Sequence, residues 1–281
     1  MALPLNRSMR RLGGTYLPLS LFVAFALFPF YWMLLASLKS NRELYDLKVF
    51  PFWVHKPVLT QYTYLFENTD FLTWLTNSVT VGLISTAASV VIGILAGYGL
   101  ARLRFRGAEG FGIAIFISYL VPTTLLFIPL SRVVNDLGIA NSTWALLVTY
   151  PTFLVPFCTW LLMGYFKTIP RELEECAMID GATRLGSFVR IVLPLALPGI
   201  VCAALFSFTL SWNEFIYALT FISRTSQKTI PIGVVVELIR GDVFYWGSLM
   251  AGALLGSVPI AMIYSFFLDY YVSGLTAGAI K

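Results

Sequence analysis

The sequence predicts an all-α integral membrane fold with six spanning helices. Of its 281 residues, 58% are hydrophobic and only 12% charged, where a soluble domain has about 45–50% apolar and about 25% charged residues. Six stretches, 12–38, 71–101, 110–131, 137–166, 191–213 and 243–268, carry no Asp, Glu, Lys or Arg. Their lengths are 27, 31, 22, 30, 23 and 26 residues, and a spanning helix needs roughly 20. The longest interval between them, 39–70, has 32 residues, too few to build an independent core. One membrane domain over 1–281 is expected, with no soluble catalytic domain.

Span 1 (about 16–38) follows a basic stretch, as a signal peptide would, but its uncharged run exceeds the roughly 7–15 residues of a signal-peptide apolar region, so it reads as an uncleaved span. It holds Pro18 and Pro29, tolerated in a membrane where neighbours re-satisfy the freed backbone groups, with a kink expected near Pro29. Segment 39–73 mixes Pro51, Pro57, both signs of charge and the aromatics Phe50, Phe52, Trp53, Tyr62, Tyr64, Phe66 and Phe71. It reads as an outer interfacial segment with an aromatic belt. Span 2 (about 75–100) contains Gly93 and Gly97, a small-xxx-small spacing that lets helices approach closely.

Span 3 (about 111–131) has Pro122 and Pro129, and span 4 (about 142–165) has Pro151 and Pro156. Such kinks either border a transport cavity or are simple packing features. Span 5 (about 196–222), span 6 (about 246–269) and a small-residue tail, Gly274 to Lys281, complete the chain.

A net charge of +5 is spread between apolar runs rather than gathered into a basic stripe, which speaks against a nucleic-acid partner. With the N-terminus inside, Arg7, Arg10, Arg11, Arg102, Arg104, Arg106, Lys167, Arg171, Arg184, Arg190 and Lys281 fall on the cytoplasmic side, 11 of 19 basic residues. The triplet Arg102, Arg104, Arg106 in a short loop weighs most in the positive-inside rule. Both termini are therefore expected in the cytoplasm.

Cys158, Cys176 and Cys202 have no CxxC spacing, and His55 is the only histidine. No metal site or disulfide framework is expected. A membrane enzyme would need a His, Asp or Glu constellation for acid–base or metal chemistry. An ion-driven secondary transporter would need intramembrane acids, and Glu214 is the only one placed well inside a span.

The informative stretch is the loop 165–195. Pro170 suits a first helical position, Glu172, Glu174 and Glu175 favour the positive end of a helix dipole, and Gly181 suits the residue just past a helix. Leu173, Cys176 and Ala177 fall at i, i+3, i+4 and make one apolar face. Thr183 can cap a second short helix with apolar residues Leu185, Phe188, Val189 and Val192, ended by Pro194. So small an apolar face either docks into a partner's groove or rests on the bilayer interface.

Glu175-Cys176-Ala177, Gly181, and then Ile191-Val192-Leu193-Pro194 resemble the EAA signature of permease subunits in binding-protein-dependent ABC importers, with Cys176 where Ala is usual. Asn77-Ser78, the stretch 101–107, Trp212-Asn213 and the Gly-Leu-Thr-Ala-Gly ending at Gly278 extend the likeness to MalG-type carbohydrate permeases. That resemblance implies the type I importer (MetI-like) fold, with coupling helices at about 171–180 and 184–190. It also implies ATPase-coupling residues Glu174, Glu175, Cys176, Ala177, Asp180, Gly181, Ile191, Leu193 and Pro194. Glu175 would face the ATPase, and tail residues Thr276, Ala277, Gly278 and Lys281 would reach it as well.

The chain has no GxxxxGK[ST] and no GxGxxG, so it carries no motif for binding nucleotide itself. No cofactor is expected on this chain, with ATP and Mg used by partner subunits. The resemblance implies two ATPase subunits, a second permease forming a heterodimer, an extracytoplasmic solute-binding protein and a carbohydrate or polyol substrate. The membrane would be the bacterial or archaeal cytoplasmic membrane. An ABC permease for a non-sugar solute is the nearest alternative, a secondary transporter a further one. Ser211, Trp212, Asn213 and Glu214 interrupt span 5 and are candidates for the translocation pathway, Trp212 offering a face to a sugar ring. Alternatively, Asn213 and Glu214 pack against a partner or reach the outer interface.

Overall fold

A computed structural model describes residues 12–103 and 105–270, with side chains from residue 14 onward. The tail positions Thr276, Ala277, Gly278 and Lys281 lie outside the described residues, as does Arg104. Among the described residues, four helices are long and apolar enough to cross a membrane, and six spans result if two bent pairs are each taken as one. The chain divides into two compact units, 1–69 with 234–255, and 70–233 with 256–281.

In the first unit, α1 (Leu17–Leu38) is apolar all round and almost wholly exposed, with Phe22 70% and Phe25 80% accessible. A helix with that composition and no protein cover requires lipid or another chain around it. Short helices α2 (Asn41–Tyr45) and α3 (Thr60–Glu67) follow. Gln61 is their hub: its Nε2 donates to Lys39 O (3.1 Å) and Asn41 Oδ1 (2.8 Å), and its Oε1 accepts from Ser248 Oγ (2.9 Å). A buried amide with its donors and acceptor satisfied fixes position more than it adds net stability. A two-strand hairpin, β1 (Ile239–Arg240) with β2 (Val243–Phe244), turns at Gly241 (φ 58°).

In the second unit the central helix is α4 (Phe71–Arg102), 32 residues. At 1.5 Å per residue it is about 48 Å long, beyond the ~30 Å hydrocarbon core, so both of its ends project into polar surroundings. Helices α5 (Ala108–Leu120) and α6 (Thr123–Asp136) come next, then α7 (Thr143–Thr149) and α8 (Pro151–Thr168), which together run as one 26-residue apolar helix.

Gly93 and Gly97 sit where α4 meets α8. A Cβ on Gly93 would stand 2.5 Å from Cys158 Cβ, and one on Gly97 would stand 2.9 Å from the Met163 backbone nitrogen. The small-xxx-small spacing therefore serves a backbone-to-backbone approach. At one end of α4, Trp74 Nε1 donates to Thr225 O (3.0 Å), Asn77 Nδ2 donates to Ser226 O (3.0 Å) and Lys228 O (2.9 Å), and Ser78 Oγ accepts from Ile230 N (2.8 Å). The Asn77-Ser78 pair thus satisfies loop backbone that apolar surroundings would otherwise leave unpaired.

Two expected spans are bent. The run at 111–131 is two helices, α5 and α6, meeting at 94°. Pro122 is the cause: the residue before a proline is driven out of the α region, and Val121 has φ −68°, ψ 122°. The run at 196–222 begins with a 70° bend against the preceding helix at Ala196 and breaks again at Asn213–Phe215, giving α12 (Leu197–Trp212) and α13 (Ile216–Phe221). Sixteen residues of α12 span about 24 Å, so the shorter α13 is needed to extend its reach.

Candidate functional site

The loop after α8 folds as two short helices. α9 (Glu172–Ile179) starts two residues later than Pro170, because Arg171 is the N-cap and its carbonyl accepts from Glu174 N (3.0 Å) and Glu175 N (3.1 Å). Three acids in the first turn complement the helix dipole. The helix closes with Ala182 N donating to Ala177 O (2.9 Å) and Gly181 N to Met178 O (3.2 Å), with Gly181 at φ 91°. That pairing is the Schellman arrangement, whose left-handed residue favours glycine.

Thr183 then caps α10 (Arg184–Ser187), its Oγ1 accepting from Gly186 N (3.0 Å). The second helix does not stop at Pro194. A π turn, Phe188–Val192, leads without interruption into α11 (Leu193–Leu195), so the run that Thr183 caps ends at Leu195, one residue beyond Pro194. The direction changes at Ala196 instead.

Underneath lies an apolar core. Tyr98, Ala101, Leu162, Phe166, Ile169, Phe188, Val192 and Ala196 are all buried together, and the rings of Tyr98 and Phe188 are 4.3 Å apart. Phe188 and Val192 face this core, while Leu185 (70% exposed) and Val189 (50%) face outward. Ile179 stands 84% exposed at the end of α9. Leu173 and Cys176 are exposed on the same helix and Ala177 is half-buried.

The two adjacent acids have opposite fates. Glu175 is exposed, whereas Glu174 turns inward and is 8% exposed. Its Oε1 lies 2.7 Å from Arg102 Nε, and its Oε2 accepts from Tyr98 OH at 3.0 Å. Arg102 also donates to Ile169 O (2.6 Å), and Arg171 donates back to Ala101 O (2.9 Å). The last turn of α4, the end of α8 and the first turn of α9 are thereby tied by charge-assisted bonds, which are about twice as strong as neutral ones.

Arg102, expected among loop charges, is instead the last helical residue of α4, with a side chain 5% exposed. Its burial was the signal sequence reasoning missed. Asp180 ends α9 as an exposed C-cap, Ile191 and Leu193 are half-buried, and Pro194 is exposed.

The second cluster of sequence candidates surrounds the break in span 5. Ser211 and Trp212 are buried, and the Trp212 ring is covered by Phe208 at 5.4 Å, so this chain alone offers no open Trp212 face. Asn213 is exposed and donates to Thr209 O (2.9 Å). Half-buried Glu214 accepts from Tyr217 N (2.7 Å), Ala218 N (3.0 Å) and Tyr150 OH (3.0 Å). Its carboxylate thus satisfies the free N–H groups that a helix start leaves over. Chain breaks at membrane depth are tolerated only when buried in protein or lining a water-filled cavity.

Among the described residues no group of three His, Cys, Asp or Glu gathers as metal ligands.

Residues 89–277 match the family described as binding-protein-dependent transport system inner membrane component. The chain is 36% identical over 95% of its length, and 93% of the relative's, to the permease protein of the sulfoquinovosyl glycerol transport system of Agrobacterium fabrum. It is 33% identical to the permease protein of the trehalose/maltose transport system of Thermococcus litoralis, over 91% of each chain. The fold is similar to a chain of a bacterial ABC transporter involved in import of the acidic polysaccharide alginate, with TM-score 0.77 and 20% identity, covering 96% of this chain and 100% of that one.

Proposed function

The chain belongs to the family of inner membrane components of binding-protein-dependent transport systems, and from that premise we propose that it forms half of the translocation pathway for a sugar or related polyol. It is a membrane permease subunit of an ABC importer, and ATP hydrolysis belongs to a separate subunit of such systems. Relatives named for sulfoquinovosyl glycerol and for trehalose and maltose favour a carbohydrate over other solutes. An extracytoplasmic binding protein delivers the substrate, a second permease completes the pore, and two ATPase subunits bind ATP and Mg. Both termini then lie in the cytoplasm, on the side of the 165–195 loop, and the tail residues Thr276, Ala277, Gly278 and Lys281 reach the ATPases.

The observation that carries this reading is the geometry of α9 and α10. Leu173, Ile179, Leu185 and Val189 are each exposed, Ile179 on the same face of α9 as exposed Glu175, on a base held by the Arg102–Glu174 pair. A small, rigid amphipathic helix presenting anchors in this way fits a groove on a partner. Glu175, Cys176, Ala177, Asp180 and Gly181 shape the docking helix and its turn. Glu174 positions it from behind, and Ile191, Leu193 and Pro194 carry the connection onward into α12.

At the other site, exposed Asn213 beside the helix break is the pathway-facing member of Ser211, Trp212, Asn213 and Glu214. Ser211 and Glu214 support it by holding the break.

The test is co-purification with the products of neighbouring genes in detergent, followed by ATPase assay with Glu175→Ala and Gly181→Asp. Loss of ATPase association, or of substrate-stimulated hydrolysis, is the expected result. Stable purification without an ATPase partner and without effect of either substitution overturns the reading. In the same system, Asn213→Ala is expected to change uptake kinetics while leaving ATPase association intact.

A further inference from the structure

A groove of ≈ 1100 Å³ opens beside the coupling loop, between the end of α4, the start of α5 and the end of α8. Its walls divide by chemistry. Among the described residues its lining carries three cations, Arg106, Lys167 and Arg171, against a single acid, Glu109, a net charge of +2. Deeper along the helices the lining is apolar: Ile113 and Phe116 on one side, Trp160 and Met163 on the other. Trp160 and Phe116 pack at 5.3 Å between ring centroids.

Lys167 follows Trp160 by seven residues, so on an α-helix the apolar wall extends about 10 Å from the level of the cations. Arg106 and Lys167 are exposed, and Gly107 at φ 89° makes the turn that lifts Arg106 to the groove rim. Arg171 spends one N–H group on Ala101 O (2.9 Å) and, as a guanidinium with five donors, keeps others to offer.

We propose that this groove is a binding site for an anionic phospholipid of the cytoplasmic leaflet, such as phosphatidylglycerol. The headgroup phosphate lies among Arg106, Lys167 and Arg171, and an acyl chain lies along Met163, Phe116 and Trp160. Cationic pockets between helices on the cytoplasmic side attract such headgroups, at about 1 kcal/mol per Lys or Arg. A zwitterionic lipid has the same tails but no net charge to meet the surplus of +2. Assignment to the cytoplasmic leaflet rests on the reading of the 165–195 loop as the ATPase-facing side. The consequence is regulatory: Arg171 and Lys167 flank α9, so an occupied groove braces the coupling helix from its membrane side.

The experiment uses the assembled transporter in bicelles of equal phosphatidylglycerol and phosphatidylcholine, with lipid retained on this chain read by native mass spectrometry. Neither ATPase activity nor transport enters the readout, so failure here is separable from failure of the importer reading. Retained phosphatidylglycerol is expected to exceed phosphatidylcholine. The preference falls about fivefold for Arg106→Gln or Lys167→Gln alone and about 25-fold for the pair, following the charge contribution above, while Arg106→Lys with Lys167→Arg keeps it. Excess free glycerol phosphate leaves the lipid in place, because the acyl contact is absent from it.

An unchanged preference in the double variant overturns the proposal. Displacement by glycerol phosphate overturns it in favour of a soluble anion site. A photoreactive side chain at Ile113 that cross-links to another protein chain rather than to lipid also overturns it, by identifying a protein occupant.

Discussion

Glu174 and Glu214 each sit at the start of a short helix, and their partners differ in kind. Glu174 meets a guanidinium from a distant helix, Arg102 at 2.7 Å, with the Tyr98 hydroxyl on its other oxygen. Glu214 meets backbone N–H groups three and four residues ahead of it, plus the Tyr150 hydroxyl. The first carboxylate joins separate elements. The second chiefly caps a break within its own stretch of chain, with a single neutral hydroxyl, that of Tyr150, reaching it from elsewhere.

That difference sets where a mutation is felt. Removing one partner of a buried ion pair leaves the other charged and unsolvated, at a cost of about 3–5 kcal/mol. Removing a carboxylate that caps a helix start leaves neutral N–H groups, a cost nearer ~1–2 kcal/mol. A pair across elements therefore governs the position of α9, and a cap made mostly of local bonds governs chiefly the integrity of its own turn.

The sharpest way to break the comparison is Glu174→Ala. It is expected to destabilise the purified complex by about 3–5 kcal/mol, read by thermal unfolding, and to lower substrate-stimulated ATPase activity. The double variant Arg102→Met with Glu174→Leu replaces both charges by apolar side chains and is expected to recover most of the stability, since buried pairs exchange for packed hydrophobes at little net loss. Coupled hydrolysis should stay depressed in that variant if the pair acts by positioning. Full recovery of coupling would reduce it to packing.

A smaller effect is expected from Glu214→Ala, about 1–2 kcal/mol, with ATPase association unchanged because α9 and α10 are untouched. A loss as large as that of Glu174→Ala would erase the distinction between a local cap and a link across elements. Smallest is Thr183→Ala, about 1 kcal/mol, visible as faster hydrogen exchange at the Gly186 amide, which donates to Thr183 Oγ1. If exchange instead quickened throughout α9, then α9 and α10 would be one cooperative unit.

Much of the 165–195 loop was legible because its signals are local. A threonine cap, a left-handed glycine and acids in a first turn act over three or four residues, and Thr183, Gly181 and Glu172 do what their types suggest. The two bends are a mixed case. Pro122 could be read as a kink, but the angle of 94° depends on what α5 and α6 pack against. Pro194, expected to end a helix, stands one residue before the end of the continuous run Arg184–Leu195, and the direction changes at Ala196.

By itself, then, the amino-acid sequence determined that this is a helical membrane protein, where its apolar helices run, and which loop folds as two short capped helices, because hydropathy and turn chemistry are short-range properties. Only the tertiary structure decided that Glu174 rather than Glu175 turns inward to Tyr98, 76 residues earlier in the chain, that Arg102 is a buried helix end, and that Trp212 is covered by Phe208. Neighbouring residues on a helix point about 100° apart. Which of two adjacent acids faces a partner is therefore fixed by where distant helices arrive, and that information lies in their packing rather than in either residue.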